Sequence, residues 1–221
     1  MMNAAKYFEI LKARFGTDRL TELYHTNEFT LALAVILSAQ ATDKHVNAVS
    51  PALFKTADTP EKMLKLGLAG LKKYIKSVSF FNNKAKNIIG LSEKLAEKDI
   101  AQKDWHFPKK YHDRDALMGL PGIGRKTANV ICSILWGAPN IGVDTHVFRL
   151  AHRFGWADDD DNTPEKVERR LYEIVPKKYY AVANHLMVMH GRYICKARGP
   201  DCGNCPAAKL CPCKSDCGGV K

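Results

Sequence analysis

Acidic residues are scarce in this sequence. Twenty-three Asp and Glu stand against 34 Lys and Arg, a formal net charge of +11 across 221 residues. That deficit disfavours basic partners and points to a polyanion, for which nucleic acid is the default candidate. Charge alone leaves an anionic membrane surface open, but long apolar runs are also missing, and none reaches the roughly 20 residues that span a bilayer. The start, MMNAAKYFEILKARFG, has neither a continuous apolar core nor a cleavage site, so no secretory leader is read there. An intracellular monomer without membrane attachment is expected. Strand-like alternation and internal repeats are absent too. Cysteine is nearly absent before residue 195. Cys132 stands alone in an apolar stretch, while Cys195, Cys202, Cys205, Cys211, Cys213 and Cys217 crowd the end. An odd, one-sided set in a chain without a leader argues against a disulfide framework and for a metal site.

What is present is helical periodicity, and the expected fold class is all-α with about ten short helices. Tyr7, Phe8, Ile10, Leu11 and Phe15 mark one face of an N-terminal amphipathic helix. Residues 30–49, TLALAVILSAQATDKHVNAV, are apolar on nearly every side up to Ala39 and read as one buried central helix, with Gln40, Thr42 and Asp43 breaking out near its end. Residues 59–75 open on a Thr-Pro cap signal and are split by Gly67 and Gly70. Residues 82–98 are amphipathic, and 99–112, without a period, read as loop. Short helices are expected over 113–120 and 124–137. Residues 138–155 begin extended and turn helical after Asp144, and further helices are expected over 163–176 and 179–195. The acidic run 158–162 reads as a solvated loop before a helix start.

The stretch LPGIGRKTANV, residues 120–130, joins two of these helices. It is not a nucleotide-hydrolase phosphate loop. Gly119 and Gly124 have the right spacing, but Arg125 stands where that motif needs lysine, and no strand precedes it. A tight turn explains the glycines. It leaves unexplained why Arg125 and Lys126 stand at the positive end of a helix, which disfavours cations. An anion site explains both: the glycine turn and helix N-terminus hold a DNA phosphate without reading sequence, while the field penalises the ammonium form of Lys126. The pattern helix, L-P-G-I-G, helix is similar to the helix-hairpin-helix of DNA-repair proteins.

Two further signals follow. Asp144, in VDTH, fits a helix cap, and capping does not preclude catalysis by the same carboxylate. CKARGPDCGNCPAAKLC spaces Cys195, Cys202, Cys205 and Cys211 as C-x6-C-x2-C-x5-C. Four thiolates so placed suit zinc or a [4Fe–4S] cube. Structural zinc favours two C-x-x-C pairs, only one close pair exists here, and the longer gaps leave room for something larger.

Taken in order, ILSAQATD (36–43), YIKSVSFFNNKAKNI (74–88), LPGIGRKTANV, VDTHVFRL (143–150), MHGRYIC (189–195) and the cysteine spacing resemble the endonuclease III family over nearly the whole chain. The resemblance implies a base-excision DNA glycosylase with AP-lyase activity, acting on oxidised pyrimidines in duplex DNA or on abasic sites. It implies a six-helix barrel over 22–133 containing the helix-hairpin-helix (about 113–137). A second helical lobe, from 1–21 and 134–221, would carry a [4Fe–4S] cluster on Cys195, Cys202, Cys205 and Cys211. Lys126 corresponds to the nucleophile and Asp144 to the carboxylate that works with it. Gln40 falls where the family fills the hole left by an extruded nucleotide. Phe80 falls at a wedge position, with Phe81 beside it able to exchange roles. Gly122, Gly124, Arg125, Thr127 and His146 fall among DNA-binding positions, and Lys196 and Arg198 in a loop that can present cations to the backbone. Asp201 departs from the pattern by placing an acid where the family often has a base. Cys213 and Cys217 also depart from it; alternative ligands, a second weak metal site and incidental thiols are all open to them, and because four ligands complete a cluster they read as incidental. A related adenine-mismatch glycosylase would need a carboxylate within ALAVILSAQA, which has none. A non-catalytic iron–sulfur DNA binder would need neither Lys126 nor Asp144.

Overall fold

In a computed structural model of the chain, residues 1–96 and 105–213 are described. Among these described residues ten α-helices follow one another: α1 (Ala4–Phe15), α2 (Glu28–Ser38), α3 (Asp43–Thr56), α4 (Pro60–Ile75), α5 (Phe81–Leu95), α6 (Arg114–Met118), α7 (Arg125–Trp136), α8 (Thr145–Arg153), α9 (Pro164–Ile174) and α10 (Tyr180–Tyr193). No strand occurs among the described residues, and none of the described helices is long and apolar enough to cross a membrane. The chain divides into two compact units, Glu22–Trp136 and Met1–Thr21 with Gly137–Lys221. The division falls just after α7, three residues beyond the boundary expected from sequence.

Glu22–Trp136 contains α2 to α7. Its centre is α2, packed on α3, α5 and α7, so every residue from Phe29 to Leu37 is buried. Each large apolar side chain so removed from water contributes roughly 1.5–3 kcal/mol. The helix begins with a reciprocal cap: Asn27 Oδ1 accepts from Thr30 N, and Asn27 N donates to Thr30 Oγ1. The expectation of one helix over 30–49 is corrected. The apolar run ends at Ala39, and Thr42 starts a new helix by accepting from His45 N at 3.3 Å. Between them Gln40 takes a left-handed backbone, φ 54°. The split expected in 59–75 lies at Gly67, φ 70° and ψ 170°. Residues 99–104 of the expected loop 99–112, and 97–98 before it, lie outside the described set. Trp105 is buried against Phe29, Phe107 is buried against Trp105, and the Glu28 carboxylate receives Phe107 N at 2.7 Å.

The other unit is built on α1, α8, α9 and α10. Tyr7, Phe8 and Leu11 of α1 are fully buried, whereas Ile10 and Phe15 are only half-buried. Tyr7 meets Phe154 at 4.9 Å and Trp156 at 5.2 Å between ring centroids. The indole of Trp156 donates to Met2 O at 2.8 Å, which ties the chain start to this core.

Candidate functional site

The glycine turn in the first unit is positioned from both sides. Asp113 caps α6 through Ala116 N, and Leu120 and Ile123 are buried as anchors. Gly122 must be glycine twice over: φ is +79°, and a Cβ there would lie 2.9 Å from Asn87 Cβ. Gly124 has no such reason, since its φ is not positive and nothing lies within 4 Å of an added Cβ. Its carbonyl accepts the first bond of α7 from Ala128 N at 2.9 Å. Arg125, Lys126 and Thr127 then form the first turn, whose N–H groups have no i−4 carbonyl within the helix. Gly122 and Gly124 are exposed and the next three residues half-buried. This surface offers oriented amides, cations and a glycine that the fold itself does not demand.

Two more residues singled out in the sequence lie in this unit. Gln40 is exposed. Phe80 is 64% exposed at the N-cap of α5, with φ 57° and ψ 29°. Among the described residues these two are the non-glycine positions with positive φ. Phe81, the alternative, is half-buried.

In the second unit Asp144 is the N-cap of α8. Its Oδ1 accepts from His146 N and Val147 N, both at 2.9 Å, and Oδ2 takes part in neither bond. His146 Nδ1 lies 3.3 Å from Arg149 Nη2. Burial, more than any neighbouring charge, lowers its imidazole pKa.

The cysteines follow α10. Cys195, Cys202, Cys205 and Cys211, together with Cys213, His190 and Phe154, line a cavity of about 60 Å³. One water needs only about 10–15 Å³, so a multi-atom group fits. No three His, Cys, Asp or Glu side chains among the described residues converge on a point suited to one metal ion. One of the sulfurs has a cationic partner. Arg153, buried at 4% exposure, donates from Nη1 to Cys195 Sγ at 3.3 Å and to Lys196 O at 2.6 Å, and from Nη2 to Ala197 O at 3.0 Å. Arg149 Nη2 donates to Gly191 O at 2.9 Å and Cys195 O at 3.0 Å. Burial raises the Cys195 thiol pKa, and Arg153 pulls it back. His190, pushed down to about 4 by burial and Arg149, is a neutral ring. It links Tyr7 OH (2.9 Å from Nδ1) to Cys205 Sγ (3.4 Å from Nε2).

Lys196 and Arg198 are exposed on this loop. Asp201 is engaged locally, its Oδ1 accepting from Asn204 Nδ2 at 3.1 Å. Cys213, read as an incidental thiol in preference to an alternative ligand, stands on the cavity wall; Cys217 lies outside the described residues. Cys132 is fully buried in α7, as expected of a small core residue. Sequence reasoning overlooked Lys84, Arg149, Arg153 and His190.

Comparison with known proteins adds a family. Residues 33–177 match the family described as HhH-GPD superfamily base excision DNA repair protein. The chain is 52% identical to an endonuclease III of Rickettsia conorii, with 93% of each covered. It is 43% identical to that of Escherichia coli K12, covering 96% of this chain and 98% of the relative. Among solved structures, one described as a trapped endonuclease III–DNA covalent intermediate aligns with a TM-score of 0.81 and 41% identity, over 96% of this chain and 97% of that one. A thermostable thymine-DNA glycosylase, 21% identical, shares the fold with a TM-score of 0.79 over 97% of this chain and 98% of its own. A helical chain with a glycine turn before a lysine, a capping aspartate and a cysteine-lined cavity therefore belongs to the endonuclease III family of HhH-GPD base-excision DNA repair proteins.

Proposed function

We propose that this chain removes oxidised pyrimidines from duplex DNA and nicks the resulting abasic strand, with Lys126 as nucleophile. The observation that carries the reading is Lys126 itself. It is the second residue of α7, directly behind a glycine turn, in a chain 41% identical to a protein described as trapped covalently on DNA.

The damaged base must leave the stack to be reached. Phe80 enters the stack as an apolar wedge, and Gln40 fills the vacated space with polar atoms, which offsets the cost of unstacking. The main-chain amides around Gly122, Gly124, Arg125 and Thr127 receive backbone phosphate at the positive end of α7. The His146 ring and the exposed Lys196 and Arg198 add contacts, the cations through charge alone. The unprotonated Lys126 Nζ attacks sugar C1′ and the C1′–N bond to the base breaks, its electron pair leaving with the base. Asp144, one oxygen fixed by its cap, stabilises the positive charge that develops on the sugar or carries a proton. Ring opening leaves a Schiff base between Nζ and C1′. Loss of the C2′ proton then expels the 3′ phosphate by β-elimination, cutting the strand 3′ to the lesion.

Cys195, Cys202, Cys205 and Cys211 would hold a [4Fe–4S] cluster. The donor set, the cavity volume and the guanidinium at Cys195 fit that group. Bound, it supplies iron–thiolate cross-links that staple the loop presenting Lys196 and Arg198. Visible absorption with iron counting checks this. The nucleophile is tested by borohydride, which reduces a Schiff base to a stable amine. Wild-type protein should be trapped on abasic-site or thymine-glycol duplex and Lys126→Gln should not. Wild-type levels of trapping by the variant would remove Lys126 from the role.

A further inference from the structure

Lys84 is 6% exposed. Burying a lysine is costly unless its ammonium is met by acceptors. Here Nζ donates to Leu37 O at 2.8 Å and Ala39 O at 2.6 Å. These are carbonyls at the C-terminal end of α2, where a helix leaves acceptors unpaired and carries partial negative charge. The last turn of α2 has no basic residue of its own, so α5 supplies the cation.

The bond has consequences on both sides. On the α2 side, Ala39 immediately precedes Gln40, whose φ is 54°. On the α5 side, Lys84 N donates to Phe80 O at 3.1 Å, and Phe80 has φ 57°. A left-handed backbone is disfavoured for residues with a Cβ and persists where its surroundings over-determine it. Phe80 also lacks a side-chain cap bond. One short path thus runs from Gln40 through Ala39 O, the Lys84 side chain and Lys84 N to Phe80 O.

We propose that Lys84 is a positioning residue that clamps the loop carrying Gln40 onto the helix turn carrying Phe80, so that the two exposed side chains meet the duplex as one preset unit. The inference rests on the reading of Gln40 and Phe80 as the residues that enter DNA. Burial lowers the lysine pKa; the clamp itself is the pair of bonds from Nζ to the two carbonyls.

The test is the rate of base opening, read by stopped-flow fluorescence of 2-aminopurine beside thymine glycol in duplex DNA, on the full chain. Lys84→Met keeps the stem and loses the donors. It should open the duplex more slowly by roughly tenfold, a part of the roughly hundredfold that misplacing an active group by a full ångström can cost. In a Gln40→Ala background the same change should add little, because both substitutions disable one unit. A wild-type opening rate in Lys84→Met overturns the proposal. So does an undiminished loss in the Gln40→Ala background, which is what general destabilisation would produce. Should the methionine variant not fold, Lys84→Leu, which is apolar and likewise has no donor for either carbonyl, replaces it in the same cycle, and each outcome is read the same way. Borohydride trapping by the unsubstituted protein separates the two readings. If it fails, the lyase assignment fails. If it succeeds while the Lys84 variant opens DNA normally, only the clamp is lost.

Discussion

The glycine turn before α7 and the cysteine loop after α10 are built by opposite means. The turn is local: its conformation comes from Gly122, its anchors Leu120 and Ile123 are within it, and its charges are the next two residues. The cysteine loop is held from a distance. Its carbonyls and one sulfur are gripped by Arg149 and Arg153 of α8, and Cys205 meets the ring of His190. A backbone-coded turn should tolerate distant changes and fail on its own glycine. A loop held by remote side chains should fail when a residue far outside it is removed.

The sharpest way to break that contrast lies in α8. Arg153→Met leaves the apolar stem but removes the donor to Lys196 O, Ala197 O and Cys195 Sγ. Removing a charged donor from these part-buried carbonyls and from the buried sulfur should destabilise the unit by about 3 kcal/mol. The melting temperature should fall by roughly 6–12 °C, and Cys195, now 8% exposed, should be labelled faster by a thiol reagent. A variant that melts and labels like the wild type would mean that the cysteine loop holds itself.

Gly122→Ala attacks the turn from within. The added Cβ meets Asn87 Cβ at 2.9 Å in a backbone with φ +79°. The cost should be about 1–3 kcal/mol, smaller than at Arg153. Denaturant unfolding measures it. Shortening Asn87 to Gly in the same chain relieves the clash and leaves the φ strain, so the double variant should recover part of the loss.

How far each region could be read from sequence follows from the same contrast. The glycine turn, the Asp144 cap and the Gly67 break are signals carried within a few residues, and the helices around them were legible. The single helix expected over 30–49 went wrong because an apolar run says nothing of the left-handed turn at Gln40 that ends it. Arg153 lies 42 residues from Cys195, Lys84 lies 47 from Leu37 and Tyr7 lies 183 from His190. Their partners are mostly backbone carbonyls, which carry no residue-type signal. A weak clue did exist: Arg153 follows Arg149 by one helical turn on the same α8 stripe as Val147 and Leu150, where a charge needs a buried partner.

Exposed cations on the cysteine loop should have a smaller effect. Lys196→Ala and Arg198→Ala alter surface side chains, so stability should hold within about 0.5 kcal/mol. If each touches a phosphate, the slope of log affinity against log salt should flatten by about 0.9 for every phosphate that is no longer neutralised. An unchanged slope would make the loop a cap for its own cavity and would assign phosphate binding to the glycine turn.

Gly124→Ala should do least to the fold and is for that reason the most discriminating change. The site has room for a methyl group and a permissive φ. Alanine lowers the entropy of the unfolded chain by a few tenths of a kcal/mol and weakens the helix start by a similar amount. The two oppose, so the melting temperature should barely move. If the amides of the α7 first turn hold a phosphate, however, the new Cβ occupies the space through which the anion approaches. Duplex affinity should then fall while stability does not, and the loss should shrink as salt weakens the phosphate contact in both proteins. Equal affinity with equal stability would leave Gly124 without a reason in either the fold or the DNA complex, and the turn would be reduced to a connection between α6 and α7.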